Sequence, residues 1–372
     1  MAVNIDNAEV LSNSYVFTAD YSVRGLANVS VSSGKTVTGD GYAIDFVNTL
    51  TEGGAAFDRI TFLNGSSFDF ISQATGITSG YTSGGLLKTP SSPFTSLVDN
   101  IAKFSFAADS NATDVGDLTY ARDDVAGQSS LLAGYVTGST TAPPLNFTID
   151  KFPFATDTNA AAIGHLSSQR INLAGQSSQS MGYSSGGYRP PAATYVNVID
   201  RFPFAVDTSA IDVGDLSQAR RGPAGQSSTT SGYTSGGFAP PSVNTIDKFP
   251  FASDANATDV GDTTQARYYV AGQSSETSGY TSGGLTPTTA VGTVDKFPFA
   301  LDANATDVGD LTEPRYLSAG QSSTLSGYTS GGKFDSDTYY NNIDKFPFAT
   351  DSNATDVGDL TLTISSAAGQ QV

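Results

Sequence analysis

A line of about 50 residues is written six times along this 372-residue chain. Its anchor, Lys/Arg-Phe-Pro/Ser-Phe, falls at Lys103, Lys151, Arg201, Lys248, Lys296 and Lys345, at spacings of 48, 50, 47, 48 and 49 residues. A period of this length with strand-like content specifies a repeat architecture, in which each unit buries its apolar face only against its neighbours. The repeat also sorts the residues. One present in every copy is expected to build the architecture, and one present in a single copy needs another reason.

One copy, read from Gly279, runs GYTSGG, LTPTTAVG, TVDKFPFA, LDANATDVGDLTEPR, YLSAGQSS. It predicts four short strands: Gly279 to Ser282, stopped by Gly283-Gly284; Thr293 to Ala300; a stretch near Asp307 to Leu311; and Tyr316 to Ser323. Four such strands make one twisted antiparallel sheet, the blade of a propeller. AGQSS and GYTSGG are built from small residues that fit the crowded axis, whereas the two Phe of IDKFPF suit the wider gap between diverging outer strands. Burying each Phe contributes about 1.5–3 kcal/mol. Pro153 and its equivalents lack an N–H and are expected at a strand end or bulge. The first clean copy begins at Gly80-Tyr81-Thr82-Ser83-Gly84-Gly85, and the sequence ends at Ala368-Gly369-Gln370-Gln371-Val372, where another GYTSGG would follow. The last strand is therefore predicted to pair beside the Tyr81 strand and close a ring of six blades without free sheet edges.

Each copy resembles a kelch repeat. It has a double glycine after a strand, an aromatic strand with an Asp (Asp247 in IDKFPF), and an Arg after the outer strand: Arg122, Arg170, Arg220, Arg267 and Arg315. It departs from the kelch pattern in having no Trp, and the sixth copy has Thr363 near the Arg position. The close wording of the copies, IDKFPFAxDxNATDVGDLTxAR…AGQSSxTSGYTSGG, is similar to kelch-like virion structural proteins of marine, often cyanobacterial, phages. The resemblance covers roughly residues 76–372 and implies a six-bladed propeller that serves interaction or structure.

Composition agrees with an all-β chain: 39 Gly, 22 Phe and 17 Tyr, with no sustained helical period. Without cysteine there is neither a disulfide scaffold nor a Cys-based zinc site. No apolar run reaches membrane-spanning length, so no membrane insertion is expected. The first ten residues lack a signal-peptide pattern, so release by lysis or within an assembled particle is expected if the protein works outside cells. A net charge of −18 disfavours nucleic acid as a partner. Residues 73–372 are assigned to the propeller. Residues 1–72 lack the repeat but read as β: Ala27 to Ser33, Tyr42 to Val47, and Ile60 to Leu63 before an Asn64-Gly65 hairpin signal. They are expected to form a small N-terminal β domain or arm that attaches the protein to a particle, by analogy with virion fibres and caps.

Candidate chemistry is sparse. Asp302, Asn304, Asp307 and Asp310 offer oxygens for calcium, but the spacing is irregular, Gly309 falls late, and an Asx-type turn explains the same residues. Gly182-Tyr183-Ser184-Ser185-Gly186 matches GxSxG, yet the matching position elsewhere is usually Thr and His165 is the single histidine, so no catalytic residue is assigned. The recurring Gln128, Gln176, Gln226, Gln273, Gln321 and Gln370 are expected to hydrogen-bond around the axis or line a channel. Four Asn-Ala-Thr sequons read as turn residues.

What varies is the loop after each SGG: Leu86–Pro93, Tyr188–Thr194, Phe238–Ser242, Leu285–Ala290 and Lys333–Tyr340. Ring symmetry predicts that all share one face. Tyr188, Arg189, Phe238, Phe334, Tyr339 and Tyr340 are the candidate binding residues there, suited to sugar stacking or protein contact. The sequence therefore predicts a non-enzymatic, virion-located interaction protein: a tail fibre, tail tip or capsid-associated component. Its expected partners are other virion proteins, a host-surface glycan or protein receptor, and further copies of itself in the particle. A cap protein without receptor, or a secreted lectin-like propeller, are the alternatives.

Overall fold

The computed structural model describes residues 78–88, 95–139, 147–190 and 192–372, with the backbone of seven short strands between residues 10 and 68. The chain divides into two compact units, Met1–Thr75 and Gly76–Val372.

In the first unit the chain alternates between two sheets. Val10–Leu11, Val29–Val31 and Leu50–Glu52 pair parallel in one. Tyr15–Phe17, Val37–Gly39 and Ile60–Phe62 pair parallel in the other. Successive strands stand about twenty residues apart, a winding that no repeated residue in the sequence announces. Ser67–Phe68 turns back antiparallel on Ile60–Phe62, with Ile60 opposite Phe68. The expected Asn64-Gly65 turn and the expected strand Tyr42 to Val47 lie outside the described residues.

The second unit is a six-bladed β-propeller. A representative blade orders Ala271–Ser274, Ser278–Ser282, Thr293–Pro298 and Thr306–Asp310 as a four-stranded antiparallel sheet, from axis to rim. Small residues do occupy the inner strands and the Phe strand lies third. Pro298 ends its strand, and a register shift follows at Val294/Asp295. The repeat straddles two blades. The strand expected at Tyr316 to Ser323 is the shorter Ala319–Ser322, and it belongs to the next sheet. For the same reason the first blade is built from both ends of the unit. Ala368–Gln371 pairs with Ser79–Lys88, with Gln370 opposite Tyr81, the register that places Gln128 opposite Tyr135 elsewhere.

Blades adhere through a repeated aromatic contact. The second-strand Tyr stacks on the second Phe of the next blade, as in Tyr135–Phe204 at 4.7 Å and Tyr233–Phe299 at 4.8 Å. Tyr328–Phe106, at 4.5 Å, carries the pattern across the closure. The first Phe of the pair lies over a glycine. A Cβ on Gly232 would stand 2.3 Å from the Phe249 ring, which is why that strand reads Gly-Tyr in every copy.

Each repeat Arg is fully buried against the Asp of the next blade's third strand: Arg122–Asp150 at 2.8 Å, Arg170–Asp200 at 2.9 Å, Arg220–Asp247 at 3.2 Å, Arg267–Asp295 at 2.9 Å and Arg315–Asp344 at 2.6 Å. The sixth Arg position is held by Ile364, not Thr363. Its carbonyl accepts the Gly332 N–H as the Arg122 carbonyl accepts that of Gly85. The matching Asp position is Ala102, opposite Thr82 where Asp150 stands opposite Val136. Ile364 and Ala102 are buried in one apolar cluster. Both charges are thus absent together at the closure.

Removing one member of a buried pair strands the other charge, whereas removing both does not. Arg267→Ile and Asp295→Ala are each expected to destabilise by about 3–5 kcal/mol. The double variant, which copies the closure, should recover most of that loss. Chemical denaturation of the four proteins checks this, and additive losses would contradict it.

Candidate functional site

The loop face is built by a short extra ladder above the blades. The residue after the repeat Arg bridges to the residue after the double glycine: Ile171 to Tyr188, Arg221 to Phe238, Tyr268 to Leu285, and Tyr316 to Lys333. This ladder brings two stretches of variable sequence together on one face.

Toward the axis the same connecting segments form a closed ring of backbone hydrogen bonds. Asn172 N donates to Asp124 O at 2.9 Å, Gly222 N to Asn172 O at 2.7 Å, and Tyr269 N to Gly222 O at 2.6 Å. Leu317 N donates to Tyr269 O at 2.9 Å, Ser366 N to Leu317 O at 2.7 Å, and Asp124 N to Ser366 O at 2.9 Å. All six residues are left-handed, with φ between 54° and 63°. Asp, Asn and Gly adopt this conformation readily, but Tyr269, Leu317 and Ser366 do so against their preference. The ring and its neighbours line a depression of about 60 Å³. There the Asp124 carboxyl is pushed up to about 6 by burial and then by the adjacent Asp123, although Asn172 Nδ2 donates to it at 3.1 Å.

Around this ring lies an aromatic track. Tyr188 packs on Tyr195 (ring centroids 5.5 Å apart), Tyr195 on Phe238 (5.9 Å), and Phe238 on Tyr268 (5.2 Å). Tyr268 packs on Tyr269 (4.6 Å), which stacks on Tyr316 (6.1 Å). Burial pushes the Tyr269 hydroxyl up to about 12, partly offset by Arg221. The Arg221 guanidinium sits 5.4–5.9 Å from the rings of Phe238, Tyr188, Tyr269 and Tyr195. Lys333 lies 5.5 Å from the Tyr316 ring and 5.3 Å from that of Tyr339.

Of the residues singled out in the sequence, Tyr188 and Phe238 belong to this track, and Tyr339 meets it only through Lys333. Arg189 instead donates to Ser168 Oγ at 2.9 Å. Tyr340 lies over the buried Arg315 at 5.2 Å, and Phe334 stands apart, 40% exposed. Sequence reasoning missed Arg221, Tyr195, Tyr268, Tyr269, Tyr316 and Lys333. The available signal was the dipeptide after each repeat Arg, which reads Asp-Asp, Ile-Asn, Arg-Gly, Tyr-Tyr and Tyr-Leu in copies otherwise nearly identical.

The shared polar residues are occupied in joining blades. The six Gln amides each donate to a Tyr carbonyl of the next blade, from Gln128 to Tyr183 at 3.0 Å through Gln370 to Tyr135 at 3.2 Å. They flank an axial channel of about 460 Å³ lined by the inner Gly-Gln-Ser strands. The acidic turn is an inter-blade clamp. Asp302 pairs with Lys248 at 2.9 Å, Asn304 Oδ1 accepts the Asp262 N–H at 3.0 Å, and Asp307 Oδ1 accepts the Gly309 N–H at 3.1 Å. The same ion pair joins Lys345 to Asp109 across the closure. Asp310 also receives an inter-blade contact, its N–H donating to Asn353 Oδ1 at 3.1 Å. Among the described residues no three acidic or histidine side chains gather as a metal site. Ser184 is buried and bonded to Gln128 and Thr137, whereas His165 lies on an outer strand against Phe147, so the GxSxG match assembles no nucleophile–base pair.

No protein-family model matches the chain, and no curated protein matches it.

Two outcomes follow from these geometries. A chelator is expected to leave the melting temperature unchanged, because the acidic turns are held by Lys and backbone N–H groups. A calcium-dependent rise would overturn that account. The raised Asp124 pKa means its contribution to stability is fully present below the ordinary carboxylate value near 4 and is lost as pH rises through 6. Asp124→Asn should therefore gain stability relative to wild type from pH 4 to pH 7, approaching on the order of 3 kcal/mol. Parallel melting curves across that range measure it, and a constant difference would reject the assignment.

Proposed function

We propose that this chain is a non-enzymatic interaction protein of a phage particle, a tail-fibre, tail-tip or capsid-associated component whose loop face contacts a host surface or a neighbouring subunit. The kelch-like reading and the viral setting rest on the resemblance of the repeat wording. The observation that carries the interaction reading is the division of labour among residues. The repeated Tyr, Phe, Gln, Arg and Asp join blade to blade. The aromatic track gathers where the copies disagree. Partly buried aromatics with polar tips favour contact with another molecule. Residues 1–72 take the role of attachment to the particle, alongside other virion proteins and further copies of the chain.

Replacing the loops at 188–194, 238–242, 285–290 and 333–340 by short Gly/Ser turns should abolish adsorption of the purified protein to host cells while the propeller still melts cooperatively. Adsorption equal to wild type would reject the loop face as the contact surface. Removing residues 1–72 should release the protein from purified particles, and retention would locate the anchor elsewhere.

A further inference from the structure

We propose that the Arg221 aromatic nest is a binding site for an acidic saccharide, a linear polymer whose carboxylates pair with cations of this face while its sugar rings lie on the aromatic track. The inference deepens the interaction reading and rests on it.

The cations carry the argument. Among the described residues every other lysine and arginine is in an ion pair. Arg189, Arg221 and Lys333 have no carboxylate of a described residue within ion-pair distance, and all three lie in or beside the loop ladder. In a chain of net charge −18 this is not a shortage of acids. Arg221 is the most distinctive of the three. It is half-buried and four rings surround it, while its buried, unpartnered Nε is a feature it shares with Arg189 and with Arg122, Arg170, Arg220 and Arg267. The aromatic faces attract the cation but leave its in-plane donors unused, since cation–π contact acts perpendicular to the guanidinium hydrogen bonds. Planar donors that are unmet and partly desolvated fit a carboxylate bidentately.

The rings select the rest of the ligand. The track from Tyr188 to Tyr316 is continuous, with Arg221 amid Tyr188, Tyr195, Phe238 and Tyr269, and Lys333 over Tyr316 and Tyr339 at the far end. Pyranose rings present flat C–H faces to aromatic rings, and their hydroxyls suit tyrosine O–H groups. Two cations bridged by the Tyr269–Tyr316 stack match an anionic polymer with charges at intervals better than a single free anion. Asp124 near Tyr269 and Asp335 near Lys333 bound the track with negative charge, so placement on the cations is required and loose anion attraction is disfavoured.

The test uses the full chain in affinity electrophoresis through gels containing polygalacturonate, with neutral dextran as the control polymer and soluble polyglutamate as a competitor. Polygalacturonate is expected to retard the wild type where dextran does not, with polyglutamate at equal charge failing to displace it. Arg221→Gln should weaken retardation by about tenfold or more, the scale of one charge-assisted contact. Tyr188→Ala, which leaves Arg221 in place, should also weaken it, both variants keeping the wild-type melting temperature. Absence of retardation, an undiminished Arg221→Gln protein, or equal displacement by polyglutamate would each overturn the proposal, the last in favour of an acidic peptide. Host adsorption separates this inference from its premise. An Arg221→Gln protein that still adsorbs where the loop-replaced protein does not sinks the saccharide site alone. A loop-replaced protein that adsorbs normally sinks the interaction reading as well.

Discussion

Every blade of this propeller is completed by the next one, and that dependence governs the rest of the structure. An isolated blade would leave its Phe pair, its buried Asp and its Tyr ring facing water. In the ring the Phe pair receives the preceding Tyr, the Asp receives the preceding Arg, and the preceding Gln amide reaches its backbone carbonyl. The exposed contacts between blades are individually small. Half-exposed Lys–Asp pairs of the acidic turn contribute about 0–1 kcal/mol each. Their weight comes from closure, because the sixth copy makes the same bonds to the first: Lys345 to Asp109, Tyr328 to Phe106 and Gln321 to the Tyr81 carbonyl. Unfolding one blade then breaks two interfaces at once, which ties the ring into one cooperative unit.

The closure also departs from the pattern, and in an ordered way. Where five interfaces bury an ion pair, the sixth buries Ile364 and Ala102. A single loss would leave a charge in an apolar setting, so the two positions change together or not at all. The inner strands show a smaller version. Ser129 N donates to Ser177 Oγ, and the chain of such bonds runs on to Ser322, beyond which Gln371 replaces the next serine. Gln371 N still donates to Ser129 Oγ, so the circle is open at one point only.

Period and phase were legible in the sequence because they are carried by residue identity: Phe at fixed spacing, and GYTSGG at one end with AGQ at the other. What joins the copies was harder to read, since the partners are about 50 residues apart and each residue type also suits a local role. Asp302 and Asn304 resemble a metal loop until Lys248 and the Asp262 N–H are found opposite them. The left-handed ring was illegible for a related reason. Tyr269, Leu317 and Ser366 are not residues from which positive φ is inferred, and closure imposes that conformation at a cost of about 1–2 kcal/mol each. The N-terminal winding escaped notice because its strands recur by position without recurring by residue. Arg221 was illegible because it adjoins Arg220, whose type and position the repeat already accounts for.

Position on the ring explains why function collects on one face. A residue between blades has two neighbours fixed by symmetry and can change only when a partner changes with it, as Ile364 and Ala102 did. A residue on the ladder above the blades contributes its backbone to Tyr188, Phe238 or Lys333 across the bridge, but its side chain is free of that constraint. Side-chain identity there is therefore open to whatever the surface meets. In a molecule that pairs all but three of its described cations with carboxylates, a guanidinium ringed by four aromatics and left unpaired is not required by the blades. Its in-plane donors are met by no group among the described residues, which leaves the guanidinium open to an acceptor that the blades do not supply.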